Sequence, residues 1–257
     1  MNREMVIPPS HPRYASLLGR EKLVMGYKNG LVAAEGLIAH GRGECFDYLM
    51  GEQTNEFANR AIDAAASQLM LADYPVFSVN GNVAALCSDL VFSLNTVIVN
   101  SAVEINLFYY TKEREGKISK ELRRHGITRI LGTNPDDLVE IPELDSNRRL
   151  VDVNGIFRSD TVFVPLEDGD RTIALKRMNK KIITIDLNPL SRTAKASDIT
   201  IVDNIVRAIP HLLDRIAFHK RNSNKDQLLE IVNNFDNKKI LSDAISTMRT
   251  GTTSRIS

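Results

Sequence analysis

Short apolar runs rich in β-branched residues recur along the chain, separated by stretches with helical spacing. Residues 75–79, 103–108, 161–164, 182–185 and 199–202 read as strands too uniformly apolar to keep one wet face. Helices are predicted over 54–72, from 83 onward, and over 112–125, 173–179 and 204–219. The 54–72 segment puts Phe57, Ala58, Ala61, Ile62, Ala65 and Leu69 on one face, and its alanines predict close packing on another element. Residues 11–28 form a further helix, with a stripe of Tyr14, Leu17, Leu18, Val24 and Met25. The stretch GLIAHGRGE, residues 36–44, reads as a glycine-punctuated loop, and 129–150 is less regular. From Arg221 the polar tail still carries Leu228, Ile231 and Val232, then Ile240, Leu241 and Ala244, which predicts two closing helices. Buried strands alternating with helices predict an α/β fold: a single Rossmann-like, doubly wound, mostly parallel sheet with extra N- and C-terminal helices. Residues 1–257 are read as one such domain, with a helical C-terminal extension from about 221.

Composition narrows the function classes. With 43% hydrophobic and 25% charged residues, the chain is an ordinary globular protein. A net charge of +1 offers no global field for nucleic acid, so any anion site must be local. No run approaches the ~20 apolar residues of a membrane span. The two cysteines, Cys45 and Cys87, lie far apart in sequence, and the N-terminus has no apolar signal core, so a reduced cytoplasmic setting is expected.

In open α/β sheets, ligands bind beyond the carboxyl ends of the strands. Four predicted strands end in polar, turn-forming residues: Asn80-Gly81-Asn82, the segment 167–172, Asp186-Leu187-Asn188 and Asp203-Asn204. If the strands are parallel, these ends share one rim. A strand-end aspartate can accept from a ribose diol, and an asparagine suits an adenine edge or a sugar hydroxyl. Arg192 can fork onto phosphate, and Thr193 with the following amides can cradle an anion. An Asx turn before Pro189, with Arg192 as a solvated charge, explains the same letters. The HGRG string places Arg42 between glycines, where backbone can approach a phosphate. Arg20 lies beside the apolar stripe of its helix, and Glu21 falls on it. Asp168 or Asp170 can serve magnesium indirectly, although a turn accounts for both. No transition-metal spacing and no G-x-S-x-G is present.

The strings IPPSHPRYASLLGREKLV, GLIAHGRGECFDYLMGE, VNGNVAAL, VPLEDGDRT and IDLNPLSRTA, with ITIVDNIVRAIP, resemble the archaeal phosphopantothenate synthetase (4-phosphopantoate–β-alanine ligase) family in order to about residue 219. The resemblance implies a homodimeric, Rossmann-like, AMP-forming ligase of coenzyme A biosynthesis. It would join 4-phosphopantoate to β-alanine through an acyl-adenylate, with ATP as co-substrate and magnesium on the phosphates. ATP contacts carry over to Arg20, Arg42, Asp186, Leu187, Asn188, Arg192, Thr193, Asp203 and Asn204. Rim position and charge make Asn80, Asn82 and Arg171 candidates for the acid substrate, and make His40, with Arg42, a candidate for catalysis. The competing classes are another nucleotide-dependent enzyme, against which the missing GxGxxG argues, and a nucleotide-sensing module without turnover.

Overall fold

Helices α1 (Tyr14–Lys28), α2 (Ala34–Met50) and α3 (Glu56–Leu71) precede strand β1 (Pro75–Val79). Helix α4 (Gly81–Val97) leads to β2 (Ala102–Ile105), and α5 (Lys112–Arg124) to β3 (Ile130–Leu131). The hairpin β4 (Leu138–Glu140) and β5 (Leu150–Asp152) comes next, then β6 (Thr161–Phe163). The chain continues through α6 (Gly169–Arg177), β7 (Lys181–Ile185), α7 (Arg192–Ala196), β8 (Ile199–Ile201) and α8 (Ile205–Asn222), and closes with α9 (Lys225–Asn233) and α10 (Asn237–Gly251). This computed structural model describes residues 7–142, 144 and 147–251, with the side chains at 40, 41, 147 and 251 outside that description.

Among the described residues, six strands pair in parallel in the order β3-β2-β1-β6-β7-β8. Chain direction across the sheet reverses between β1 and β6, the switch point of a doubly wound fold. One register row runs across the whole sheet: Ile130, Val103, Phe77, Phe163, Ile183 and Ile199. All six are buried and face the core built from α3, α4, α5 and α8. The rings of Phe77 and Phe163 meet edge to face at 5.9 Å. The next positions, Val76, Val162 and Ile182, face a second core with α6 and the hairpin. Both faces are therefore dry, which is why the strands read as unbroken apolar runs.

Four expectations are corrected. Residues 36–44 are not a loop but lie inside α2. Their glycines serve close approach: a Cβ at Gly36 would stand 2.3 Å from Asn82 Oδ1, and one at Gly43 3.1 Å from Leu187 Cδ1. The helix thereby lies directly on the sheet rim. In α1 the expected stripe is not the packed face, because Leu18 and Met25 are 38% and 50% exposed. Gly19, Leu23 and Gly26 are buried instead, and a Cβ at Gly26 would stand 2.8 Å from Ala85 Cβ on α4. Helix α6 starts at Gly169 rather than 173, because Asp168 caps it by accepting from Arg171 N at 2.9 Å. Strand β2 ends at Ile105, so 106–110 belong to the rim. The two closing helices form as expected. Asn237 of α10 accepts from Thr200 N at 2.8 Å and donates to Ala194 O at 2.9 Å, which covers the edge strand β8.

The hairpin is docked by polar side chains of the sheet. Glu104 of β2 is buried, and its carboxyl accepts from Asp152 N at 3.1 Å and Ile156 N at 2.6 Å. Asp152 accepts from Gly132 N at 2.9 Å. Burial pushes the Glu104 carboxyl up to about 8, against the two amides and the charge of Arg171, while Asp152 adds to the rise. Folding therefore favours its protonated form. That contribution to stability is full below the ordinary value of 4.5 and is lost as pH rises through about 8. Equilibrium denaturation at about pH 6 and about pH 9 should show the wild type losing stability at the higher pH, while Glu104→Gln, which cannot ionise, loses less. Equal losses would remove Glu104 as the source.

Candidate functional site

Parallel pairing brings the polar ends of β1, β6, β7 and β8 to one edge, as the sequence predicts. Each of these ends flows into a helix whose N-cap lies on the rim. Asn80 caps α4, Asp168 caps α6, Ser191 caps α7 and Asn204 caps α8. The rim thus gathers helix N-termini, whose free N–H groups and dipoles favour anions.

At β7, Asp186 accepts from Asn188 N at 2.9 Å and from the Ser191 hydroxyl, and Asn188 Oδ1 accepts from Leu190 N at 3.0 Å. The Asx turn is thus present, and it orients the Asp186 carboxyl at the rim. Burial raises the Asp186 pKa, against Ser191, the Asn188 amide and the charge of Arg42. Arg42, exposed on α2, thus acts on the same carboxyl. Leu187, Gly43 and Asn204 line one small cavity between α2 and the rim. Arg192 is exposed and pairs with Asp170 at 2.5 Å, whereas Thr193 is buried and donates to Glu167 O at 3.1 Å.

At β8, Asp203 is buried and accepts from Thr54 Oγ1 at 2.7 Å and Arg207 Nη2 at 2.8 Å. Burial raises its pKa, and Arg207 opposes the shift. Arg207 also reaches Asp47 of α2 at 2.6 Å, and Asn204 Nδ2 faces the same carboxylate at 3.4 Å. Asp47, Thr54 and Arg207 were not legible as partners, since only the fold brings α2 over β8. Arg20, half-exposed, stands 3.7 Å from Glu21. Its neighbour Gly19 lines a cleft with Asn204 and Arg207. The side chain of His40 lies outside the described residues.

At the switch point the structure rearranges the expected set. Asn80 Oδ1 accepts from Asn82 N and Val83 N, at 3.0 and 3.1 Å, and its Nδ2 donates to Pro165 O and Leu166 O, both at 3.2 Å. It ties β1 to β6. Leu166 holds a φ of 59°, uncommon for a residue with a side chain. Asn82 Nδ2 donates to Gly36 O at 2.9 Å, fixing α2 on the rim. Arg171 is fully buried behind this wall, paired with Glu167 and 3.3 Å from Ser78 Oγ. Among the described residues, the cations that line the cleft are Arg114 and Arg148, and Asn80, Asn82 and Glu35 line it too. Arg114 donates to Leu31 O at 2.9 Å and Tyr109 O at 2.5 Å. Arg148 pairs with Glu167, and with Asp168 at 3.2 Å. Burial and the charge of Arg148 lower the Arg114 pKa. An anion placed between two such guanidiniums would relieve their repulsion. Neither arginine was marked by the sequence: one lies in a charge-rich helix and the other in an irregular stretch. No group of three or more His, Cys, Asp or Glu side chains converges as a metal site among the described residues.

Comparison with known proteins places the chain in a family. The family model described as phosphopantothenate/pantothenate synthetase matches residues 57–251. A protein of Thermococcus kodakarensis named 4-phosphopantoate–β-alanine ligase is 52% identical over 244 residues, 95% of this chain and 92% of that protein. One of the same name from Methanosarcina mazei is 49% identical over 240 residues, 93% of each chain. A protein so named from Thermococcus onnurineus is 52% identical over 244 residues, again 95% of this chain and 92% of its own. The chain therefore belongs to the phosphopantothenate/pantothenate synthetase family.

Proposed function

We propose that the protein joins 4-phosphopantoate to β-alanine with ATP, releasing AMP and diphosphate through an acyl-adenylate. The observation that carries this reading is the single rim: the polar ends of β7 and β8 adjoin a two-arginine cleft at the switch point. Family membership supports the same pairing of substrates.

A carboxylate is a poor acyl donor because oxide is a poor leaving group. In the proposed first step its oxygen attacks the α-phosphorus of ATP and diphosphate leaves. In the second the β-alanine nitrogen attacks the acyl carbon, the carbon–oxygen bond to AMP breaks, and AMP leaves with the electron pair. The ammonium gives up two protons, one before attack and one as the intermediate collapses. Asp186, Leu187, Asn188, Asp203 and Asn204 are assigned to the nucleoside, and Arg20, Arg42, Arg192 and Thr193 to the phosphates. Magnesium would supply positive charge to the phosphate oxygens, which as hard ligands suit it. The phosphate of the acid substrate is assigned to Arg114 and Arg148, with Asn80 and Asn82 shaping the cleft and Arg171 supporting it from behind through Glu167. His40 remains the candidate proton acceptor. Much of the catalysis is then positioning and charge stabilisation.

We also infer a homodimer in the cytoplasm. The exposed Leu18 and Met25 of α1 and Ile38 of α2 are apolar surface available to a second copy. No helix among the described residues is long and apolar enough to cross a membrane.

Protein incubated with ATP, magnesium and 4-phosphopantoate should form AMP only when β-alanine is added, as read by chromatography of the nucleotides. ADP as the product would contradict adenylation. Arg42→Ala should lower kcat on the order of 10²-fold, as loss of one electrostatic donor does. Arg114→Ala should instead raise KM for phosphopantoate by roughly tenfold or more, the worth of one charged hydrogen bond, with KM for ATP little changed. Steady-state kinetics of the two variants separates the assignments, and the reverse pattern would exchange them.

A further inference from the structure

Leu166 follows β6 at the switch point with its φ of 59° in the left-handed region, where a side chain crowds its own backbone and glycine is the usual occupant. The backbone is pinned there from two sides. The Leu166 amide donates to Ile185 O of β7 at 3.1 Å, and the Leu166 carbonyl accepts from Asn80 Nδ2 at 3.2 Å. Backbone strain that the surroundings hold in place clusters at sites that grip a ligand. Glycine would satisfy the same backbone without strain, so the side chain is what the position keeps.

Leu166 is partly buried and lines two spaces. One is the cleft of about 160 Å³ that holds Arg114 and Arg148. The other is the small cavity of Gly43, Leu187 and Asn204 beneath α2, on the nucleotide side of the rim. Ala39 and Asn82 line both spaces as well, so of the described residues shared by the two, Leu166 is the one large apolar side chain. The next residue, Glu167, pairs with Arg148, so the apolar wall and the cation of the cleft are set by one turn of chain. Leu166 therefore stands at the passage from the phosphate of the acid substrate to the nucleotide.

The acid substrate has a matching feature. In 4-phosphopantoate the carbon that bears the phosphate is bonded to a quaternary carbon with two methyl groups, and the hydroxyl-bearing carbon and the carboxylate follow. With the phosphate between the two arginines and the carboxylate directed at the nucleotide, the quaternary carbon falls in the passage. We propose that Leu166 is a specificity-determining residue: its side chain packs on the two methyl groups and selects the branched acid over an unbranched hydroxy acid phosphate. Burying methyl groups against an apolar wall is favourable, and an acid without them leaves that wall unfilled. This assignment rests on the proposed ligase reading and adds no step to its chemistry.

Acid-dependent exchange of labelled diphosphate into ATP reads activation of the acid without the amine. It is measured with 4-phosphopantoate and with 2-hydroxy-4-phosphobutanoate, the same acid lacking both methyl groups. The wild type should favour the branched acid in kcat/KM by at least about tenfold, the scale of a missing methylene in an apolar pocket. Leu166→Ala, which keeps the backbone and shortens the wall, should cut that preference at least about fivefold by slowing the branched acid, with the unbranched acid within about twofold of wild type. Leu166→Phe, which thickens the wall, should also turn the preference toward the unbranched acid. Equal losses with both acids in both variants would overturn the assignment, because Leu166 also packs on the core and a packing role weakens every acid alike. Loss of folding in both variants would overturn it for the same reason, and so would a wild type that exchanges with both acids equally well. Absence of exchange with either acid in the wild type is a separate outcome: it would contradict adenylation itself and take the assignment with it.

Discussion

The parallel pairing of β1 with β6, and of β6 with β7 and β8, is the constraint on which the rest depends. A row of apolar side chains from Ile130 to Ile199 aligns the strands, and with them their carboxyl ends. A slip of one residue would turn that row to the other face and expose or clash it. Because the strands all point one way, each must be followed by a helix that starts on the same edge. The polar residue that stops a strand is then the residue that caps a helix. Asn80 does both directly after β1, and Asp168 and Asn204 cap their helices a few residues beyond the ends of β6 and β8. One edge of a nearly neutral protein thereby becomes suited to polyanions, without a basic field over the whole surface.

That edge divides by chemistry along its length. Over β7 and β8 are carboxyls whose pKa values burial raises; at the switch point stand two arginines that feel each other; over β2 and β3 lies a largely apolar cavity. Behind the middle section, Arg171 and Arg148 flank Glu167 and lower its pKa against its own burial. Removing one member would leave a buried charge uncompensated, which costs several kcal/mol, so this cluster is rigid by necessity. It holds Arg148 at the cleft, and a site that works by positioning needs such fixed charges.

Strands β1, β2, β6, β7 and β8 were legible because each is buried on both faces, so composition marks them, whereas the two-residue β3 and the partly exposed hairpin lie in the stretch that read as irregular. Their shared rim followed from one topological rule. The helix α2 was not legible, because glycine in a string such as HGRG signals either a bend or a close approach, and here it is close approach, to Asn82 and Leu187. Arg114 was hidden because a charge-rich helix reads the same whether its arginine meets solvent or a cleft. Arg171 was misread in the opposite sense, as a rim residue, because only tertiary packing buries a guanidinium completely.

The most direct measurement is the structure of the protein bound to a stable mimic of phosphopantoyl-adenylate. The account predicts adenosine over the ends of β7 and β8, in contact with Asp186, Asn188 and Asn204, and the terminal phosphate of the pantoyl arm between Arg114 and Arg148. Adenosine over the β1–β2 half, or a terminal phosphate remote from both arginines, would contradict it.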